Sequence, residues 1–171
     1  EQKLFFRGAL SGPEREVLFK KYQGVDFPAV DVALTSVPEG APCDNTRKAW
    51  CAGIPAKWVS RSDLLVNATE RVPLEESLAR YRYILSVDGV GCADRVPTLL
   101  SSANLVFIVA SDFHEFWYAD LVPFKHYIPV KKDLSDLLDV IQWVNDQTEE
   151  TLLDIVARAN KYVKTFLSTE A

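Results

Sequence analysis

The segment Tyr81-Arg-Tyr-Ile-Leu-Ser-Val-Asp-Gly-Val-Gly-Cys-Ala-Asp-Arg95 sets two glycines, Gly89 and Gly91, between an apolar run and the start of a helical one. A strand–turn–helix of this kind can seat a phosphate, because backbone N–H groups of the first helical turn point at the anion and glycine permits close approach. Asp88 closes the strand, and Arg95 adds a charged, two-pronged donor one turn into the helix. The same residues also suit a plain β–α turn, with the glycines serving geometry and Arg95 forming a surface pair. A second loop, Phe5-Phe-Arg-Gly-Ala-Leu-Ser-Gly-Pro-Glu-Arg15, repeats the pattern. Arg7, Gly8 and the hydroxyl of Ser11 precede a helix whose first turn carries Arg15. Two arginine-bearing helix starts in one domain point to a diphosphate pocket; two capped helices with solvated arginines are the plainer alternative.

A third segment, Phe113-His-Glu-Phe-Trp-Tyr-Ala-Asp-Leu-Val-Pro-Phe-Lys-His-Tyr-Ile-Pro-Val130, is strongly aromatic and holds both histidines, His114 and His126. No helical His-x-x-x-His pair or third ligand accompanies them, so no metal site is expected. Neither a Gly-x-Ser-x-Gly elbow nor a reactive-cysteine signature is present. Glu115, a carboxylate amid aromatics after a strand, suits sugar or ribose hydroxyls; N-capping or a buried pair suits it equally. Gly89-x-Gly91 with Asp112 some 20 residues on also resembles a dinucleotide fingerprint, which would make the domain part of an NAD(P)-dependent oxidoreductase. The third glycine of that fingerprint falls on Asp94, a carboxylate near where pyrophosphate would lie.

The elements that must position these loops follow from periodicity. Strands are predicted at Leu4–Phe6, Phe27–Leu34, Tyr81–Val87, Asn104–Ala110 and Tyr127–Val130. Helices are predicted at Glu14–Tyr22 after Pro13, at Leu74–Arg80 after Pro73, and at Ala93–Ser101. Another is expected from an Asp133 N-cap with Leu134, Leu137, Leu138, Ile141 and Val144 recurring at helical spacing, and a last one over Glu149–Leu167 with Leu152, Leu153, Ile155, Val156 and Ala159 as its apolar face. Thr35–Ile54 reads as irregular loop, broken by Pro38, Gly40 and Pro42. Strands alternating with helices imply an α/β, Rossmann-like domain with a mostly parallel sheet, whose ligand sits at the carboxyl ends of the strands.

Composition bounds the function. Apolar residues are 48% and charged residues 25% of 171, which suits one globular domain with a real core. The net charge of −5 argues against bulk nucleic-acid binding, whose affinity comes from phosphate neutralisation. No run approaches the roughly 18 apolar residues of a membrane span, so no membrane contact is expected from this segment. The absence of methionine and the abrupt start on a strand suggest a piece of a longer protein. Cys43 and Cys51 flank a polar loop and can close a small disulfide, leaving Cys92 over, and Asn67–Ala68–Thr69 is a glycosylation sequon. Together these favour the secretory pathway.

Taken in order, Phe6-Arg-Gly…Arg15, Tyr81-Arg-Tyr…Asp88-Gly…Arg95…Leu99-Leu100 and Glu115-Phe-Trp-Tyr…Leu121-x-Pro123…His126-Tyr-Ile-Pro-Val130…Asp133-Leu-Ser-Asp-Leu resemble the CAP10 type of glycosyltransferases. That group includes protein O-glucosyltransferases and fungal capsule-associated xylosyltransferases. The resemblance implies that residues 1–171 are one nucleotide-sugar-binding domain, the C-terminal half of a two-domain GT-B enzyme. It implies a UDP-sugar donor, UDP-glucose or UDP-xylose, and an inverting, metal-independent transfer needing no cofactor. The acceptor would be a hydroxyl of a protein Ser/Thr or a glycan, and the setting the endoplasmic reticulum or Golgi lumen. Arg15 and Arg95 match phosphate-contacting arginines that stabilise the leaving group; Arg7, Ser11, Gly8, Gly89 and Glu115 match further motif positions. The catalytic base is expected from the N-terminal domain and none from this chain. The chain departs from the pattern at Ala9–Leu10, at Ala93 and at Asp94. A non-catalytic relative acting as a binding module is the remaining alternative.

Overall fold

The computed structural model describes residues 1–23, 29–36, 69–89 and 91–167. Cys43, Cys51, Asn67 and most of the expected Thr35–Ile54 loop lie outside these residues. Five strands, β1 (Leu4–Ala9), β2 (Val30–Ser36), β3 (Tyr83–Ser86), β4 (Leu105–Val109) and β5 (Ile128–Val130), form one sheet in the order β2-β1-β3-β4-β5. Every pairing is parallel. The helices are α1 (Pro13–Tyr22), α2 (Leu74–Arg80), α3 (Val96–Leu100), α4 (Leu137–Asn145) and α5 (Glu149–Phe166), with a 3-10 turn at Tyr118–Asp120. The domain is Rossmann-like, as the alternation of strands and helices predicts.

Side chains of successive strand residues go to opposite faces, and both faces are covered. Leu4, Phe6, Leu85 and Phe107 join α1 (Leu18, Phe19, Tyr22) and α4 (Leu137, Ile141, Val144) in one cluster. Phe5, Ile84, Val106 and Ile108 join α3 (Val96, Leu99, Leu100) and the later part of α5 (Ala159, Tyr162) in the other.

The start of α4 and the buried face of α5 differ from the sequence expectation. α4 begins after Asp136, not Asp133. Asp133 Oδ1 accepts the Ser135 N–H at 3.0 Å and Asp136 Oδ1 accepts that of Lys131 at 2.9 Å. These local bonds draw the backbone into turns instead of a helix, with Leu134 at φ 57° yet fully buried. In α5, capped by Thr148, the buried face is Leu152, Ile155, Ala159 and Tyr162, while Leu153 is 55% exposed.

The sheet is continuous at its amino edge and divided at its carboxyl edge. β1 pairs β2 from Leu4 to Ala9, but β1 pairs β3 only at Leu4–Tyr83 and Phe5–Ile84. From β1 the chain crosses to β2 on one side, while β3, β4 and β5 build outwards on the other. The carboxyl halves of β1 and β3, unpaired with each other, therefore flank the topological switch point, where open α/β sheets bind ligands.

Candidate functional site

The loops after β1 and β3 meet at that switch point, backbone against backbone. A Cβ at Gly12 would stand 3.0 Å from Gly89 O and 3.1 Å from Asp88 O; one at Gly89 would stand 2.7 Å from Ser11 Oγ. Among the described residues nothing lies within 4 Å of such a Cβ at Gly91. Gly89 is thus required for loop-on-loop contact, and Gly91 is not. Gly89→Ala is expected to cost about 1–3 kcal/mol, as overpacking does, and Gly91→Ala close to nothing. Thermal unfolding of the two variants side by side checks this; equal melting points would refute it.

Arg15, projecting from the first turn of α1, fastens the two loops. Its Nε donates to Asp88 O at 2.9 Å and Val87 O at 3.3 Å, and its Nη2 to Val87 O at 2.8 Å. Its Nη1 donates to Ser11 Oγ at 3.0 Å and Ala9 O at 3.2 Å. Strand-end carbonyls need donors, and one guanidinium supplies three of them. Burial, then the nearby charge of Arg95, bring its pKa down to about 10, with Asp88 opposing; it stays a cation at neutral pH.

Arg95 is differently placed. It is the cap residue of α3, which is five residues long and not the nine predicted. Its guanidinium makes no hydrogen bond or ion pair among the described residues. Its Cζ lies 5.4 Å from the centroid of the Phe6 ring, as does that of Arg15. Burial lowers its pKa, and the charges of Asp94 and Asp88 work against that. The Ala93 N–H, a donor expected to meet phosphate, is taken by Asp88 Oδ1 at 2.7 Å. That amide is therefore not open to an anion.

Arg7 is engaged elsewhere. Its Nη2 donates to Asp31 Oδ1 at 2.6 Å and its Nη1 to Asp31 O at 3.0 Å and Phe6 O at 3.1 Å. Tyr81 Oη donates to Asp31 Oδ2 at 2.5 Å. Burial pushes the Asp31 carboxyl up, but the Tyr81 and Arg7 hydrogen bonds and the Arg7 charge outweigh it, so its pKa lies below the usual value. Burial and Asp31 together push Tyr81 up to about 12.

A cavity of about 750 Å³ opens at the split between β1 and β3, within the range of small-molecule sites. Of the predicted residues Arg7, Gly8, Arg15 and Arg95 line it; Ser11, Asp88 and Gly89 stand behind Arg15 and fix it. Gly91 and Glu115 are not in its wall. Glu115 is exposed beyond β4. There it neighbours the free thiol of Cys92, whose pKa rises through burial and then through the charge and hydrogen bond of Glu115. Among the described residues, three polar side chains of the wall escaped the sequence reading: Thr35, Arg71 and Ser77. Arg71 stands just ahead of Pro73 and α2, at the carboxyl edge where loops bind; that position was the available signal. No acidic side chain is among the described residues of the wall.

His126 accepts the Val122 N–H through Nδ1 at 3.0 Å and stacks on Tyr162, a structural placement. Asp112, the ribose-binding candidate of a dinucleotide fold, pairs with Lys132. Among the described residues no three His, Cys, Asp or Glu gather as a metal site, and no helix is long and apolar enough to cross a membrane.

A parallel sheet with a cationic cavity at its switch point defines a Rossmann-like domain suited to anionic ligands. Residues 1–171 match the family described as Glycosyl transferase family 90, and the chain belongs to that family. It is similar to Protein O-glucosyltransferase 2 of Danio rerio, 46% identical over 71 residues, which are 42% of this chain and 14% of that protein. It is similar to Protein O-glucosyltransferase 1 of Homo sapiens, 27% identical over 167 residues, 97% of this chain and 37% of that protein. Uncharacterized protein 179R of Invertebrate iridescent virus 6 is 35% identical over 67% of this chain and 10% of its own length. The chain thus spans well under half of these relatives.

Proposed function

We propose that this chain is the donor-binding domain of a glycosyltransferase, and that the cavity between β1 and β3 takes the diphosphate of a UDP-sugar. The observation that carries the reading is Arg95: a guanidinium with no hydrogen-bond or ion-pair partner among the described residues, in a cavity wall whose described residues include no acid, within a chain of glycosyl transferase family 90. Cleaving the sugar–phosphate bond leaves negative charge on UDP. A guanidinium fixed over Phe6 and aimed into the cavity stabilises that charge without a metal. Arg15 holds the loops that place it. UDP-glucose or UDP-xylose as donor, inverting transfer to a hydroxyl of a protein or glycan, and a base from another domain of a GT-B enzyme complete the proposal. The lumen of the endoplasmic reticulum or Golgi is the compartment that fits the similarity to protein O-glucosyltransferases.

Calorimetric titration of the full-length protein with UDP and with NADH tests it. Saturable heat with UDP and none with NADH is expected. Heat with NADH alone would replace the transferase reading by an oxidoreductase one.

A further inference from the structure

Resting on the donor reading above, we propose that Arg71 is a second contact for the donor's diphosphate, acting with Arg95. Four arginines reach the cavity: Arg7, Arg15, Arg71 and Arg95. Arg7 is neutralised by Asp31, and Arg15 has its N–H groups on Ala9, Ser11, Val87 and Asp88. Arg71 and Arg95 form no hydrogen bond or ion pair among the described residues. A nucleotide-sugar diphosphate carries one negative charge on each phosphate, and two unengaged guanidiniums match it in number and in fork geometry.

The backbone is held on both sides of Arg71, on one by the carboxyl end of β2 and on the other by the first turn of α2. The Thr69 N–H donates to Leu34 O at 2.8 Å, and Pro73 O accepts both the N–H and the hydroxyl of Ser77 at 3.0 Å. Arg71 thus springs from a fixed point two residues from each anchor, while its side chain is exposed and free to close on a ligand. The adjacent carboxylate, Glu70, is also exposed and forms no ion pair with it among the described residues.

The test is binding of UDP and of uridine to the full-length protein, wild type, R71Q and R71K. With wild type binding UDP, R71Q is expected to weaken UDP by roughly 10–100-fold and to leave uridine unchanged. R71K, which keeps the charge and loses the fork, should fall between. UDP affinity unchanged in R71Q overturns the assignment of Arg71 and leaves the donor reading standing. An equal loss for uridine and UDP also overturns it, because Arg71 would then act through shape. Failure of the wild type itself to bind UDP removes the donor reading, and this inference with it.

Discussion

Replacing Arg95 by glutamine is expected to weaken UDP binding by about 10–100-fold, the scale of a lost charge-assisted hydrogen bond of about 1.5–3 kcal/mol. Glutamine keeps part of the side-chain stem and removes the guanidinium that stands over the Phe6 ring, so a melting point measured beside the binding separates ligand contact from packing. The folded domain should not suffer, because the guanidinium satisfies no protein acceptor among the described residues. Burial already lowers its pKa, which shows that its charge is held at a cost, and removing it also relieves Arg15 of a like charge. A melting point equal to or slightly above that of the wild type should therefore accompany the weaker binding. Unchanged UDP affinity in a folded variant would take Arg95 out of the site.

The opposite pairing of effects is expected at Arg15. Arg15→Met keeps a comparable apolar stem but strips the donors from three carbonyls and a hydroxyl. Net losses of about 0.5–1.5 kcal/mol for ordinary bonds and up to about 3 for charged ones, reduced where water enters the cavity, give about 2–4 kcal/mol. For a domain of this size that is a melting point lower by roughly 5–15 °C. A denaturant midpoint that falls with an unchanged slope would place the loss in stability itself. A lysine at the same position should recover less than half, because a single ammonium cannot reach the acceptors of β1's loop and β3's end together. If the methionine variant lost under about 1 kcal/mol, the guanidinium would not be the fastening described here. The contrast between the two variants separates a binding arginine from a structural one, though both lie in the same wall.

Much of this was legible in the sequence. Pro13 and Pro73 marked the starts of α1 and α2, and the β-branched runs gave β3, β4 and β5 to within two residues. The parallel sheet followed from the alternation. The site was legible as two loops but not as a division of labour. An arginine in a helix's first turn satisfies phosphate or strand-end carbonyls equally well, and only the approach of Ser11–Gly12 to Asp88–Gly89 decides for the carbonyls. Arg7 likewise could not be paired with Asp31, since that contact depends on which strand lies beside β1. Asp133 failed as a cap because Asp136 competes for the same local turn, a contest between near-identical signals. Arg71 sits in no motif and became visible only once the switch point had a place in space.

The short ladder between β1 and β3 has a mechanical meaning. Two register pairs join the β2–β1 half of the sheet to the β3–β4–β5 half, where six join β1 to β2. Cooperative opening follows the weakest seam in a structure, and here the seam runs through the cavity floor. Between the facing strand ends, that ladder joins the halves on one side and the guanidinium of Arg15 bridges them on the other, like a book bound at the spine and clasped at the edge. A diphosphate lying across the opening would be a second clasp, so that the occupied domain would exchange its β1 amides more slowly than the empty one.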